Sequence, residues 1–250
     1  MIYSDLAGKN HVPEDVFTSN CLGLLRLLGS SDLLAFFNSA RSLQQEPLAV
    51  AECSDDECIL KFWPYLPGGG IPDAIIEVSG PRPFRIIVES KHGAPKSGAG
   101  DDDQLARYLR AAKAIYLERC PVAVVYLTHH REFPKKDIKL SLDYAGKEES
   151  IFWLSRYELF RWLEAQLSAS ASRTAVEKRI LIALRDYLAE YGYRVFLGWG
   201  ASMPAFPIEP IYRRSFSPGI TFKTIPRFVR AYGRVPSGVD RFPSLELIRG

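Results

Sequence analysis

Three charged residues stand at the ends of two apolar runs. Asp73 opens the run Ala74–Val78, and Glu89 and Lys91 follow the run Phe84–Val88. Side chains alternate faces along a strand, so Glu89 and Lys91 share one face and Ser90 takes the other. A turn through Ser79–Pro83 folds the two runs into a hairpin and brings the Asp73 end beside the Glu89 end. Two carboxylates and an ammonium held partly buried at one sheet edge are costly unless something pairs them. A hard divalent cation does so, because Mg²⁺ prefers carboxylate and water oxygens. Lys91 would then orient or polarise an attacking water while the ion stabilises charge developing on a phosphate. The alternative is structural: Asp73 caps a turn, and Glu89 and Lys91 mark where a strand emerges into solvent.

The elements that must position these residues are legible on both sides. Pro13 suits a helix start, and Phe17, Cys21, Leu24 and Leu28 recur at helical spacing, predicting a helix over Pro13–Leu28. A second helix is expected over Ser31–Leu43. Leu48–Cys53 and Cys58–Trp63 read as strands joined at Ser54–Glu57, before the Pro67–Gly70 loop leads into the hairpin. After a Gly/Ser/Lys loop, Gly93–Gly100, the acids Asp101–Asp103 favour a helix start, and Leu105, Leu109, Ala112 and Tyr116 give that helix an apolar face to about Glu118. Val122–Leu127 is a β-branched run suited to a central strand buried on both faces. Ser150–Leu154 reads as a short strand, Ser155–Leu167 as a helix and Thr174–Tyr191 as an amphipathic helix.

Pro72–Asp73 with Glu89–Ser90–Lys91 resembles the PD-(D/E)xK motif of the restriction-endonuclease-like nuclease superfamily. Gln104 and Tyr108 resemble the QxxxY signature found in nuclease domains attached to recombination helicases, and their i, i+4 spacing puts both on one helix face. The element order is similar to that superfamily's αβββαβ core. The resemblance covers about residues 10–167 and implies an α/β fold with a central mixed sheet flanked by helices. It implies Asp73 and Glu89 as metal ligands, joined by the Ser90 backbone carbonyl and by Glu14 near the start of the first helix, with Mg²⁺ or Mn²⁺ as cofactor. Lys91 would handle the nucleophilic water, and Gln104 and Tyr108 would contact substrate or brace the site.

Composition fits an ordinary globular protein: 250 residues, 47% hydrophobic and 24% charged. No apolar run approaches the roughly 18 residues of a membrane span, and the N-terminal residues lack the basic and apolar regions of a signal peptide, so a cytoplasmic protein is expected. Cys21, Cys53, Cys58 and Cys120 have no zinc-like spacing and read as small buried hydrophobes. Residues 1–192 form the expected nuclease-like domain, and 193–250 a Pro-, Arg- and aromatic-rich extension. From Tyr193 onward nine basic residues face three acidic ones, a net of +6 in a chain of net +3. Arg213 and Arg214 beside Tyr212 and Phe216, and Arg227 and Arg230 around Phe228, suit phosphate and base contacts. A basic covering segment accounts for them equally.

Other residues admit two readings each. Glu77 shares a face with Asp73, and either joins the site or is an exposed strand position. His92 either touches a phosphate or is a plain loop residue. His129 and His130 end the central strand, where functional groups gather. Gly68–Gly70 lacks the lysine of a P-loop and reads as a turn. Lys96 sits in a loop that either covers substrate or simply connects. Trp153, Tyr157, Phe160 and Trp162 read as core. The sequence thus points to a metal-dependent nuclease, an endonuclease of restriction, phage defence or DNA repair, with nucleic acid, chiefly DNA, as partner. A double-strand break would call for a homodimer or partner subunits. The competing reading is a nuclease-like module that binds nucleic acid or protein without cutting.

Overall fold

The computed structural model describes residues 13–91, 96–98, 100–116, 118–146 and 150–193. His92, Arg213, Arg214 and the remainder of the extension lie outside the described residues. The first element among the described residues is the expected helix α1 (Pro13–Leu28). Helix α2 (Ser30–Phe37) is shorter than its apolar pattern suggested. It stops because the Asn38 side-chain amide donates to the Val50 carbonyl and accepts from the Val50 N–H, both at 2.9 Å. That pairing also overturns the expected strand Leu48–Cys53. The segment's polar groups are satisfied against the end of α2, where Leu48 N–H donates to the Ala40 carbonyl at 3.0 Å, so only β1 (Cys58–Phe62) forms.

The sheet continues through β2 (Ala74–Val78), β3 (Phe84–Lys91), β4 (Val122–Thr128) and β5 (Ile151–Ser155) in sequential order. β1, β2 and β3 pair antiparallel, while β3, β4 and β5 pair parallel. The sheet is therefore mixed, and β4 is buried along its whole length. Helices α3 (Gln104–Tyr116) and α4 (Lys135–Tyr144) make the two parallel crossovers. Both lie on one face, as successive crossovers of one hand moving in one direction across a sheet require. Helix α4 carried no clear sequence signal, because only Ile138, Ser141 and Leu142 of its ten residues are buried. Helices α5 (Arg156–Ser168) and α6 (Ala175–Glu190) are the last elements among the described residues, capped by Ser155 and by a reciprocal Thr174–Glu177 capping box.

Two apolar layers sandwich the sheet. Ala74, Ile76, Val78, Ile86, Val88, Ala123, Val125 and Leu127 pack with α1, α2, α5 and α6. Ile75, Ile87, Val122, Val124 and Tyr126 point the other way, onto Leu105, Tyr108 and Leu109 of α3 and Ile138 and Leu142 of α4. Phe160 joins the first layer and Trp153 the second, while Tyr157 and Trp162 pack at the border of the first. These four aromatics are thus packing residues, as read from the sequence. The four thiols are free, and all but Cys53 are buried. Burial pushes the Cys21 thiol up to about 12 and Cys58 to about 11. Tyr193, placed at the head of the extension by its sequence, belongs to the first layer at 3% exposure and packs on Phe17 and Tyr157.

Candidate functional site

The hairpin register pairs Ala74 with Val88. One step further along the same register puts Asp73 opposite Glu89. Alternation then sends Asp73, Glu89 and Lys91 to the α3 face, below Ile75 and Ile87, and Ser90 to the α1 face. The Ser90 N–H donates to Asp73 Oδ2 at 2.6 Å. Lys91 Nζ meets Glu89 Oε1 at 2.6 Å, with the Glu89 side chain 2% and the Lys91 side chain 14% exposed. Glu14, in the first turn of α1, lies close enough for its charge to act on both carboxylates and on Lys91. Asp73, Glu89, Ser90 and Lys91 of the expected group are thus brought together, with Glu14 acting on them through its charge.

The electrostatics follow from burial. Burial, then the neighbouring Glu89 charge, raises the Asp73 carboxyl well above the usual carboxylate range. Burial likewise raises Glu89, with Lys91 pulling the other way. Burial opposes the Lys91 ammonium, but Glu89, Glu14 and Asp73 outweigh it, so its pKa rises and it stays charged. Lys91 is therefore a donor and a fixed positive charge here. One buried and one half-buried carboxylate facing one ammonium remain under-neutralised. Among the described residues, no three carboxylate, imidazole or thiolate side chains converge into a closed cation cage.

Gln104 and Tyr108 lie on the side of α3 turned to this edge. Gln104 Nε2 donates to Tyr108 Oη at 3.1 Å, and Tyr108 Oη donates to the Ile71 carbonyl at 3.0 Å. Tyr108 lies beside the Glu89 carboxylate, close enough for each to act on the other's charge. Tyr108 is 1% exposed, so it braces the chain before Asp73 from within. Burial, then the Glu89 charge, pushes its phenol pKa upward. Gln104 Oε1 is buried with no hydrogen-bond partner among the described residues.

The other face of Ser90 carries contacts that no motif announced. Its hydroxyl oxygen accepts from Thr18 Oγ1 at 2.8 Å and from Arg156 Nη2 at 2.7 Å. Arg156 is fully buried at the first position of α5, its guanidinium 4.2 Å over the Phe17 ring and 3.1 Å from Tyr193 Oη. A chain of buried polar contacts therefore runs from Tyr193 and α5 through Ser90 to Asp73. Thr18 had a faint signal, since it lies four residues after Glu14 on the same helix face. Arg156 had none.

The remaining candidates are dispersed. Glu77 pairs with Lys61 at 2.7 Å on the β1 side, away from the charged edge. Lys96 does not reach over the site: its ammonium turns inward to Asp103 and to Ser141 Oγ at 2.7 Å. Gly68–Gly70 forms a tight turn, closed by hydrogen bonds of 2.7 and 2.9 Å between Leu66 and Gly70. His129 follows Thr128, the register partner of Lys91, and its ring bonds the Lys91 backbone. Burial, then His130 and Arg156, lowers the His129 pKa. In comparisons with known proteins the chain matches no family model, and no curated protein and no solved structure matches it.

Proposed function

We propose that the chain is a divalent-metal-dependent nuclease with a restriction-endonuclease-like core that hydrolyses phosphodiester bonds of DNA, in restriction, phage defence or repair. The observation that carries this reading is the juxtaposition of Asp73, Glu89 and Lys91 at one sheet end, with Glu89 buried, Asp73 half-buried and both carboxyls raised in pKa. The element order of α1, β1–β3, α3 and β4 supports it. So does the QxxxY pair, which braces the same edge.

The donor set suits a hard cation. Mg²⁺ is commonly held by one or two carboxylates plus water, with no closed protein cage. Asp73 and Glu89 would hold it, with the Ser90 carbonyl and Glu14 beside them. When bound, the ion supplies Lewis acidity toward the phosphate and acidifies a bound water. The chain's own contribution is positional and electrostatic. Ser90 N–H fixes the Asp73 carboxylate, Tyr108 fixes the chain before Asp73 through the Ile71 carbonyl, and the charged Lys91 donates to an oxygen of the phosphate as negative charge grows on it. Partner subunits or a second copy would be needed to cut both strands together.

The test uses purified protein with supercoiled plasmid, linear duplex and single-stranded DNA in Mg²⁺, Mn²⁺ or EDTA. Asp73→Asn and Lys91→Ala run beside the wild type. Cutting should require the cation, vanish in Asp73→Asn and fall about 10²- to 10³-fold in Lys91→Ala, the scale of losing one preorganised donor. Cutting that persists in EDTA, or in both variants, would overturn the site. Salt-dependent binding without cutting would establish the non-catalytic module instead.

A further inference from the structure

The sheet directions bring several connections to the end that holds Asp73 and Glu89. β1 ends there and β2 starts there, because Phe62 pairs with Ala74. β3, β4 and β5 run parallel and all end there. Open α/β sheets bind ligands outside such carboxyl ends. Two described loops flank the charged residues: 63–72 on the β1 side and 129–134 on the β4 side.

The first loop is rigid and outwardly apolar. Trp63 is held in the left-handed region at φ 47°, a conformation that bulky residues rarely adopt. Its N–H donates to the Asp73 carbonyl at 3.0 Å. Leu66, 1% exposed, plugs the core, and Arg107 Nε and Tyr108 Oη clamp the Gly69 and Ile71 carbonyls at 2.8 and 3.0 Å. From this frame Tyr65 and Ile71 stand out at 73% and 57% exposure. Ile71 is two residues from Asp73. The second loop is polar and cationic. Arg131 is exposed, its guanidinium 4.6 Å over the Tyr157 ring, which leaves the edge N–H groups to donate. Lys135 and Lys136 are exposed just beyond it, with Glu132 and Asp137 as the acids of the same stretch. Ser155 Oγ anchors this loop by donating to the His130 carbonyl at 2.6 Å.

We infer that this end of the sheet binds an unpaired strand of nucleic acid: a base stacks on Tyr65 beside Ile71, and the backbone crosses Asp73, Glu89 and Lys91 toward Arg131. The phosphate position rests on the nuclease reading above; the stacking platform rests on the loop itself. A duplex base has both faces covered by its neighbours, so only an unstacked base offers a face to a protruding ring. The rigid loop has little conformational freedom left to lose on binding.

The test reads binding in EDTA, so that it does not depend on cutting. A fluorescein-labelled thymidine oligonucleotide and the same strand annealed to its complement are titrated by anisotropy into wild type, Tyr65→Ala, Tyr65→Phe and Arg131→Ala. Tyr65→Ala should weaken single-strand binding between about 5-fold and about 100-fold, the range for losing one stacked base. Tyr65→Phe should retain it, and duplex binding should not move. Arg131→Ala should reduce the slope of log affinity against log salt by about one. Circular dichroism checks that each variant is folded. Single-strand affinity unchanged in Tyr65→Ala, or lost equally for strand and duplex, overturns the inference. Tyr65-dependent binding by a protein that never cuts keeps it and removes the nuclease reading. Cutting of single strands that ignores Tyr65→Ala does the reverse.

Discussion

At the scale of single residues, Ser90 is the joint of the site. Its N–H holds Asp73 on one face of β3, while its hydroxyl oxygen accepts from Thr18 and Arg156 on the other. The backbone contact does not need the hydroxyl, but the two donors do. Ser90→Ala would leave a Thr18 hydroxyl proton and an Arg156 N–H buried without their acceptor, at about 1–3 kcal/mol for each unsatisfied group. Urea denaturation should show a loss of about 2–6 kcal/mol. Ser90→Thr, which keeps an acceptor oxygen, should recover part of it. A Ser90→Ala variant within about 0.5 kcal/mol of wild type, the usual range of harmless surface changes, would mean that the two donors find other partners.

At the scale of elements, the 63–72 loop depends on a close approach. A Cβ on Gly69 would sit 2.7 Å from Leu66 Cδ2 and 3.0 Å from the Ala111 Cβ. Leu66 is buried and Ala111 belongs to α3, so neither yields freely. Gly69→Ala should therefore cost about 1–3 kcal/mol as overpacking, seen as a lower melting temperature. Because Arg107 and Tyr108 hold the same loop from α3, the variant should also loosen the Asp73 side of the site. If single-strand binding in EDTA survives unchanged while stability falls, the loop frame is not what presents Tyr65.

Taken as a whole, the molecule sets a buried carboxylate, Glu89, and a half-buried one, Asp73, at one end of its sheet and leaves them to be neutralised by something outside its own packing. The consequence is a pH-dependent stability term. A carboxyl whose pKa is raised by folding binds its proton more tightly in the folded state. Its stabilising effect is therefore complete below the unfolded value, about pH 4, and is lost as pH rises through the raised value. In a chelator, Asp73→Asn should thus gain on the wild type from about pH 4 toward neutrality, measured by urea denaturation across that range. Saturating Mg²⁺ or Mn²⁺ should reverse the order, adding about 2.7 kcal/mol to the wild type at a hundredfold excess over Kd and little to the variant. A variant no more stable than wild type in chelator at neutral pH would show that Lys91 alone neutralises the pair.

Much of this was legible along the chain, and the exceptions share a cause. The hairpin, its turn and the clustering of Asp73, Glu89 and Lys91 follow from period-two alternation and a short connection, which are local. The helix α1 followed from its 3.6-residue period, and β4 from an unbroken apolar run. The failures came where a distant or lateral partner decided the outcome. Leu48–Cys53 has a strand-like pattern, yet the Asn38 amide took its backbone groups. Helix α4 has too few buried residues to announce itself. Arg156 reaches Ser90 across 66 residues and Thr18 across 72. The sequence alone determined which chemistry gathers at the sheet edge, because strand periodicity and charge are written residue by residue. Tertiary structure alone decided what surrounds that edge, from the Arg156–Ser90 contact beneath it to the exposed Tyr65 beside it. Those placements arise from packing between elements that carry no record of one another in their local patterns.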